Sequence, residues 1–229
     1  MYSIKRHIEE IVDRRSKNSK AILLTGSRQV GKSTLFKHLF RHVNQVTFDD
    51  DLLLAQAEED MNLFLLNNPS PLMIDEVQKC PSIFNKLKIV LDNTDSYGNF
   101  YLTGSQKLHL MEGVSESLAG RISVVELEGL SLREIYDIPF KKHFVPTQEY
   151  IKEREGTLKD YRSHLWETIH RGSYPELYSN PGREWVDFYQ SYVKTYLERD
   201  VNKLLKAKNH LAFVKFLTCV AARTGQVVN

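Results

Sequence analysis

The sequence predicts an α/β fold, a five-stranded parallel sheet flanked by helices, followed by a mostly helical C-terminal region. Three observations predict it. Short apolar runs of strand length alternate with segments of helical spacing between residues 21 and 127. The first run, Ala21-Ile22-Leu23-Leu24, enters a glycine-bracketed octapeptide and leaves it as a helix, so strand and helix alternate from the start. After Leu130 the short runs give way to helical spacing.

The elements follow in order. Residues 2–15 read as an amphipathic helix with Ile4, Ile8, Ile11 and Val12 on one face, joined by polar Ser16–Lys20 to the first strand. A helix carrying Leu35, Phe36, Leu39 and Phe40 comes next, then a second strand at Asn44–Phe48 and an acidic corner, Asp49-Asp50-Asp51. Residues 52–67 read as one helix, stopped by Asn67-Asn68-Pro69. Pro71–Ile74 is a short buried strand, Pro81 opens a helix that stops near Asp95–Gly98, and Phe100–Leu102 is the fourth strand. A helical stretch reaches Leu118, and Ile122–Leu127 is the fifth strand. Strands so alternated imply right-handed crossovers and a ligand at the carboxyl ends of the strands.

Ser131–Tyr136 starts a further helix, and Pro139–Pro146 is a basic connector. From Thr147 the pattern is helical, broken at Arg171-Gly172-Ser173-Tyr174-Pro175 and rich in aromatics over Trp185–Leu205, with Gly225 placed to end the last helix. The expected division is 1–138 for the α/β domain, 139–147 for the connector and 148–229 for the start of a C-terminal domain. Val227-Val228-Asn229 reads as a link and an N-cap with no helix after it, which suggests a chain cut within that domain.

Composition narrows the class. The 229 residues, 41% of them apolar and 26% charged, suit a soluble globular protein with a sizeable core. The part before Leu130 holds 15 basic and 17 acidic residues and the rest 16 and 12, a tilt compatible with DNA but too weak to argue for it. Cys80 and Cys219 lack metal-type spacing and fit a reduced, cytoplasmic setting. No apolar run approaches the ~18 residues of a membrane helix, and the charged N-terminus carries no export signal.

The chemistry begins at Gly26-Ser27-Arg28-Gln29-Val30-Gly31-Lys32-Ser33, with Thr34 completing the set. This is G-x-x-x-x-G-K-[ST] between a strand and a helix, the phosphate-loop pattern. Its glycines let successive N–H groups turn toward phosphate oxygens, and the helix adds its positive dipole end. Lys32 is expected at the β- and γ-phosphates and Ser33 at a magnesium ion. Asp75, ending a buried strand, is the expected second magnesium-side residue, and Glu76 beside it the base that polarises the attacking water. The competing reading of this pair is a helix cap. Ser105, with Thr103 second, is expected to contact the γ-phosphate or the water, against a plain turn at Gly104. Arg121 is expected either as an arginine finger for a second copy in a homo-oligomer, or as a surface arginine paired with Glu126 or Glu128. Asp49–Asp51 are expected to be solvated carboxylates starting a helix, and the aromatics of Trp185–Tyr196 to pack a helical core. Asn-Lys-x-Asp, the guanine reader, is absent at Asn85-Lys86 and Asn202-Lys203, which favours ATP over GTP.

Together these pieces resemble prokaryotic AAA-type ATPases whose P-loop domain precedes a C-terminal domain of unknown function. The matching segments are Gly26–Ser33, Ile74-Asp75-Glu76-Val77-Gln78, Leu102–Ser105, Ser117–Arg121, Gly172–Glu176, Tyr196–Val201 and Ala222–Gln226. Ser173 departs from the family, which more often has a second glycine there. The resemblance implies ATP-dependent activity, a phosphate-loop strand central in a five-stranded core, and nucleotide-linked contacts between domains or subunits. It also implies a C-terminal domain continuing past Asn229.

Overall fold

The computed structural model describes residues 4–105, 118–139, 142–157, 164–196 and 210–226. Five parallel strands, β1 (Ala21–Thr25), β2 (Asn44–Thr47), β3 (Leu72–Asp75), β4 (Phe100–Thr103) and β5 (Ile122–Glu126), form one sheet in the order β2-β3-β4-β1-β5. The α/β class therefore holds. The phosphate-loop strand β1 is interior, flanked by β4 and β5, and stands next to the edge strand, not at the centre.

Alternation of side chains along the strands sorts the core into two layers. Ala21, Leu23, Leu72, Ile74, Phe100 and Leu102 face one way, toward α3 (Asp51–Glu59), α4 (Met61–Asn67) and α5 (Ile83–Asp92), which contribute Ala57, Phe64, Phe84 and Leu87. Ile22, Leu24, Met73, Tyr101 and Val125 face the other way, toward Val12 of α1 (Glu9–Ser16) and Leu35 and Phe36 of α2 (Lys32–Leu39). Both faces of the interior strands β1, β3 and β4 are covered, which is why these three read as nearly continuous apolar runs, whereas the edge strands β2 and β5 carry exposed polar residues.

The strands shift by a residue at their ends, and two helices differ more from the sequence reading. The first helix starts at Glu9, because the Arg6 side chain turns into the protein and its backbone N–H is taken by Glu9 Oε1 at 2.6 Å. The single helix expected over 52–67 is two. Asp60 leaves helical geometry (φ −144°, ψ 94°), and its carboxylate caps the second helix through Asn62 and Leu63 N–H groups at 2.9 and 3.0 Å.

After the sheet come α6 (Leu132–Ile135), capped by Ser131 with Glu134 in a reciprocal box, α7 (Gln148–Glu155), α8 (Leu165–Arg171) and α9 (Pro175–Ser179). The chain divides into compact units at Met1–Ser179 and Asn180–Asn229, so α7–α9 stay with the unit that contains the sheet. The second unit holds α10 (Trp185–Tyr196) and α11 (His210–Ala222). Phe188 is buried, with the Tyr189 and Tyr192 rings 5.2 and 6.2 Å away, while Trp185, Tyr189 and Tyr192 are half-buried. No helix among the described residues is long and apolar enough to cross a membrane. The expected stretches at 106–117, 197–209 and 227–229, and the first turn at 2–3, lie outside the described residues.

Candidate functional site

The parallel register sets three polar residues side by side at the carboxyl edge. Ile74 pairs with Leu102 and Leu24 with Thr103, so Asp75, Thr103 and Thr25 end neighbouring strands. From β1 the chain enters the loop through Gly26, at φ +141°, where a Cβ would lie 2.1 Å from the Leu127 carbonyl oxygen. Only glycine fits. Gln29 (φ +62°) and Gly31 (φ +94°) also take left-handed conformations, and Gly31 is the N-cap of α2. Such alternation turns consecutive N–H groups inward, forming an anion cradle. Ser27, Gln29 and Thr34 are exposed, Arg28 and Ser33 half-buried, and Val30 buried.

Lys32 opens α2 and is 6% exposed. Its Nζ donates to the carbonyls of Gly26 (3.0 Å) and Ser27 (2.7 Å), within the loop it is expected to serve. Burial holds its pKa below the usual lysine range, while the nearby Glu76 and Asp75 carboxylates oppose that shift. Ser33 Oγ donates to Asp75 Oδ1 at 2.8 Å, and Thr103 Oγ1 donates to the same oxygen. Ser33 and Asp75, 42 residues apart in the chain, are thus in contact. A hydroxyl and a carboxylate at one point beside a backbone cradle are the hard oxygen donors that magnesium takes, so these residues fit a magnesium–triphosphate group.

Glu76 follows at φ +58°, its N–H 3.4 Å from Thr103 Oγ1. The left-handed turn starts a 3-10 turn, Val77–Lys79, that brings Gln78 back over Glu76. Gln78 Nε2 donates to Glu76 Oε2 and lies 3.3 Å from Ser105 Oγ. Ser105 and Glu76 are therefore linked through Gln78. Gln78 Oε1 is buried with no hydrogen-bond partner among the described residues. Thr103 is fully buried and committed to Asp75, and Ser105 is the hydroxyl that faces Gln78.

Arg121 sits at the other end of the sheet. Ile122 pairs with Ala21, so Arg121 precedes the amino end of β5, roughly 16 Å of strand from the carboxyl edge. Its carboxylate partner is Asp92, through Nη2–Oδ2 at 3.1 Å and Nε–Oδ1, and not Glu126 or Glu128. Those glutamates leave the opposite end of the same strand and are out of reach. The pairing lowers the pKa of Asp92 and raises that of Arg121. At the acidic corner, Asp50 caps α3 through Leu52 and Leu53 N–H groups, and Asp49 pairs with Lys79 at 2.7 Å, consistent with solvated carboxylates.

Two supports of the loop were not foreseen. Arg6, 6% exposed, donates from Nη1 to Val30 O (2.9 Å), from Nη2 to Glu128 O (2.7 Å) and Gly129 O (3.2 Å), and from Nε to Glu134 Oε1 (3.1 Å). It staples the outside of the phosphate loop to the exit of β5 and to α6. A groove of about 690 Å³ beside it is lined by Arg6, Glu10, Arg14, Glu128, Arg133 and Lys142, charges of both signs, away from the cradle. The second support is the turn Gly172–Pro175. Ser173 O accepts from Leu130 N at 2.6 Å, a Cβ on Gly129 would lie 2.2 Å from Ser173 Oγ, and Pro175 Cγ is 3.9 Å from the corresponding point on Gly31. The serine that departs from the family pattern therefore fills the space that Gly129 leaves. Arg6 gave no sequence signal, since a lone arginine on an amphipathic segment reads as solvated. Gln78 offered one, a polar residue between buried Val77 and Cys80.

A family model described as an AAA domain matches residues 18–136, and one described as a domain of unknown function matches residues 162–229. An uncharacterized protein of Mycobacterium tuberculosis is 30% identical over 184 residues, 80% of this chain and 36% of the relative. An uncharacterized protein of Methanocaldococcus jannaschii is 27% identical over 213 residues, 84% of this chain and 46% of the relative. The chain thus spans less than half the length of these curated relatives. Among solved structures, the Walker-type ATPase PABY2304 of Pyrococcus abyssi is similar at 17% identity and a TM-score of 0.49, covering 89% of this chain and 75% of that one.

Proposed function

On the premise that the chain belongs to the AAA domain family, we propose that it binds ATP with magnesium and hydrolyses it, and that hydrolysis rearranges the region after the sheet. The observation that carries this reading is the contact of Ser33 Oγ with Asp75 Oδ1 at 2.8 Å, with Glu76 next in the chain. The loop N–H groups and the N-terminus of α2 bind the phosphates, and Lys32 exchanges its bonds to Gly26 and Ser27 for phosphate oxygens. Ser33 and Asp75 would hold magnesium, which when bound neutralises charge on the β- and γ-phosphates. Glu76 takes the proton of the attacking water, and Ser105 marks the γ-phosphate side.

Coupling to the rest of the chain rests on the turn Gly172–Pro175, which bonds to Leu130 at the exit of β5 and lies beside Gly31, where Pro175 is the neighbour an added Cβ would meet. A change in loop shape on binding or release displaces this turn and the helices α8 and α9 attached to it. Arg121, roughly 16 Å from its own carboxyl edge, acts only on the nucleotide of a second copy. DNA is compatible with the slight basic excess after Leu130 and enters as a variable of the test, and the free cysteines Cys80 and Cys219 suit a reduced, cytoplasmic setting.

A second reading, a nucleotide-gated switch with little intrinsic hydrolysis, is favoured by one observation. Glu76 is engaged by Gln78 and Arg121 by Asp92, so both groups are occupied within a single chain. Steady-state ATPase assays across protein concentration, with and without DNA, separate the two. Turnover that rises with concentration and is lost in Arg121→Ala supports hydrolysis in an oligomer; tight binding with negligible turnover supports the switch. Glu76→Gln should retain ATP binding and lose roughly 10²–10⁴ in rate, and Lys32→Ala should weaken binding itself. A wild-type rate in the first variant removes Glu76 as the base.

A further inference from the structure

We propose that Gln78 is a positioning residue of the hydrolytic site, its amide N–H group orienting the Glu76 carboxylate and tying it to Ser105 at the end of β4. The inference rests on the ATPase reading above and deepens it. Glu76 sits in a left-handed turn (φ +58°) at the head of a 3-10 segment, and that turn folds the side chain two residues on back over it. Gln78 Nε2 meets Glu76 Oε2 and lies 3.3 Å from Ser105 Oγ, so one amide nitrogen spans the proposed base and the hydroxyl on the γ-phosphate side.

The amide can adopt only one orientation there. Rotated by half a turn, it would set Oε1 against a carboxylate oxygen, two acceptors in contact. The orientation that serves Glu76 leaves Gln78 Oε1 buried with no partner among the described residues. Burying an acceptor without a donor costs free energy that an apolar side chain of the same length would not incur. A residue present for packing would not be a glutamine. The N–H group is what the position retains, and its two contacts are the two groups that must be held in register for attack. Ser105 at the end of one strand reports on the γ-phosphate, Glu76 at the end of the next acts on the water, and Gln78 fixes the distance between them. A carboxylate with a free choice of rotamers spends only part of its time aimed at the water, and misplacement by about 1 Å costs on the order of 10² in rate.

The test uses Gln78→Met, which keeps length and packing and removes both polar atoms, and Gln78→Glu, which keeps shape and removes the donor. Both should lower kcat about 10- to 100-fold while the Kd for a fluorescent non-hydrolysable ATP analogue stays within about twofold. The thermal midpoint of Gln78→Met should equal or exceed that of the wild type. In a Glu76→Gln background, Gln78→Met should bring no further loss of kcat, because an aimed base is no longer there to be misaimed. Wild-type kcat in either variant, or a loss that multiplies with that of Glu76→Gln, overturns the role of Gln78 alone. Should Glu76→Gln itself turn over at the wild-type rate, the hydrolytic assignment falls and the role of Gln78 falls with it.

Discussion

Replacing Arg6 by methionine should destabilise the first unit by about 3 kcal/mol, the low end of the ~3–5 kcal/mol for breaking a buried ion pair from one side. The substitution keeps most of the aliphatic stem and removes every donor. Val30, Glu128 and Gly129 each lose a charge-assisted bond to a carbonyl, and Glu134 loses the guanidinium 3.1 Å away. Both partners of the ion pair are only 6% exposed, so water does not simply take over. Two features hold the cost down. Glu134 keeps donors from His7 N at 2.7 Å, Ser131 N at 2.8 Å and Ser131 Oγ at 3.1 Å. The adjoining groove of about 690 Å³, lined by Glu128 and Gly129, gives solvent a route to two of the three freed carbonyls. For a unit of this size about 3 kcal/mol corresponds to a fall in Tm of roughly 6–12 °C, readable by circular dichroism. The double variant Arg6→Met, Glu134→Met should recover a large share of the loss, because no stranded carboxylate remains. A Tm drop below about 2 °C in the single variant, or strict additivity in the double, would refute the account of Arg6 as the staple.

Two further outcomes follow from the same geometry. Glu134 titrates below its ordinary value of 4.5, because the Ser131 and His7 N–H groups and the Arg6 guanidinium outweigh the burial that would raise it. The folded state therefore holds that proton less tightly than the unfolded chain, so the contribution is complete above the ordinary value and vanishes as pH falls through the depressed one. Urea midpoints of wild type and Glu134→Gln should differ most above the ordinary value and converge as pH falls through the depressed one; a gap that widens on acidification would show the sign to be wrong. Gly26→Ala places a methyl where 2.1 Å separates it from the Leu127 carbonyl, so affinity for an ATP analogue should fall at least about tenfold, while Gly156→Ala, whose Cβ meets nothing closer than 3.8 Å, should leave it unchanged. Equal affinities in a titration calorimeter would mean that the loop can relocate without loss.

What could be read in advance was what local chemistry dictates. The interior strands were legible because burial on both faces leaves few polar residues in them, and the cradle because Gly26, Gly31, Lys32 and Ser33 fall at fixed offsets between a strand and a helix. The meeting of Ser33 with Asp75 was legible too, since parallel crossovers bring strand ends to one edge. Contacts set by the third dimension alone were not. Arg121 finds Asp92, 29 residues away, because both lie at the amino end of the sheet, whereas its sequence neighbours Glu126 and Glu128 have crossed to the other end. The helix break at Asp60 was hidden because Leu53, Ala57, Met61, Phe64 and Leu65 keep an apolar stripe across it. Arg6 and Ser173 act through backbone carbonyls, which leave no trace in a side-chain pattern.

The position of β1 in the sheet has a consequence for how the protein is made. Its only neighbours are β4, starting at Phe100, and β5, starting at Ile122, although Ala21–Thr25 leaves the ribosome long before either. At about 5–20 residues per second, a pentapeptide that is buried throughout in the fold and apolar in its first four residues waits roughly 4–20 s on the nascent chain with no edge to pair to. In that interval it is the segment a chaperone would hold, and slower decoding of the codons between β3 and β4 should lower soluble yield more than the same delay placed after β5.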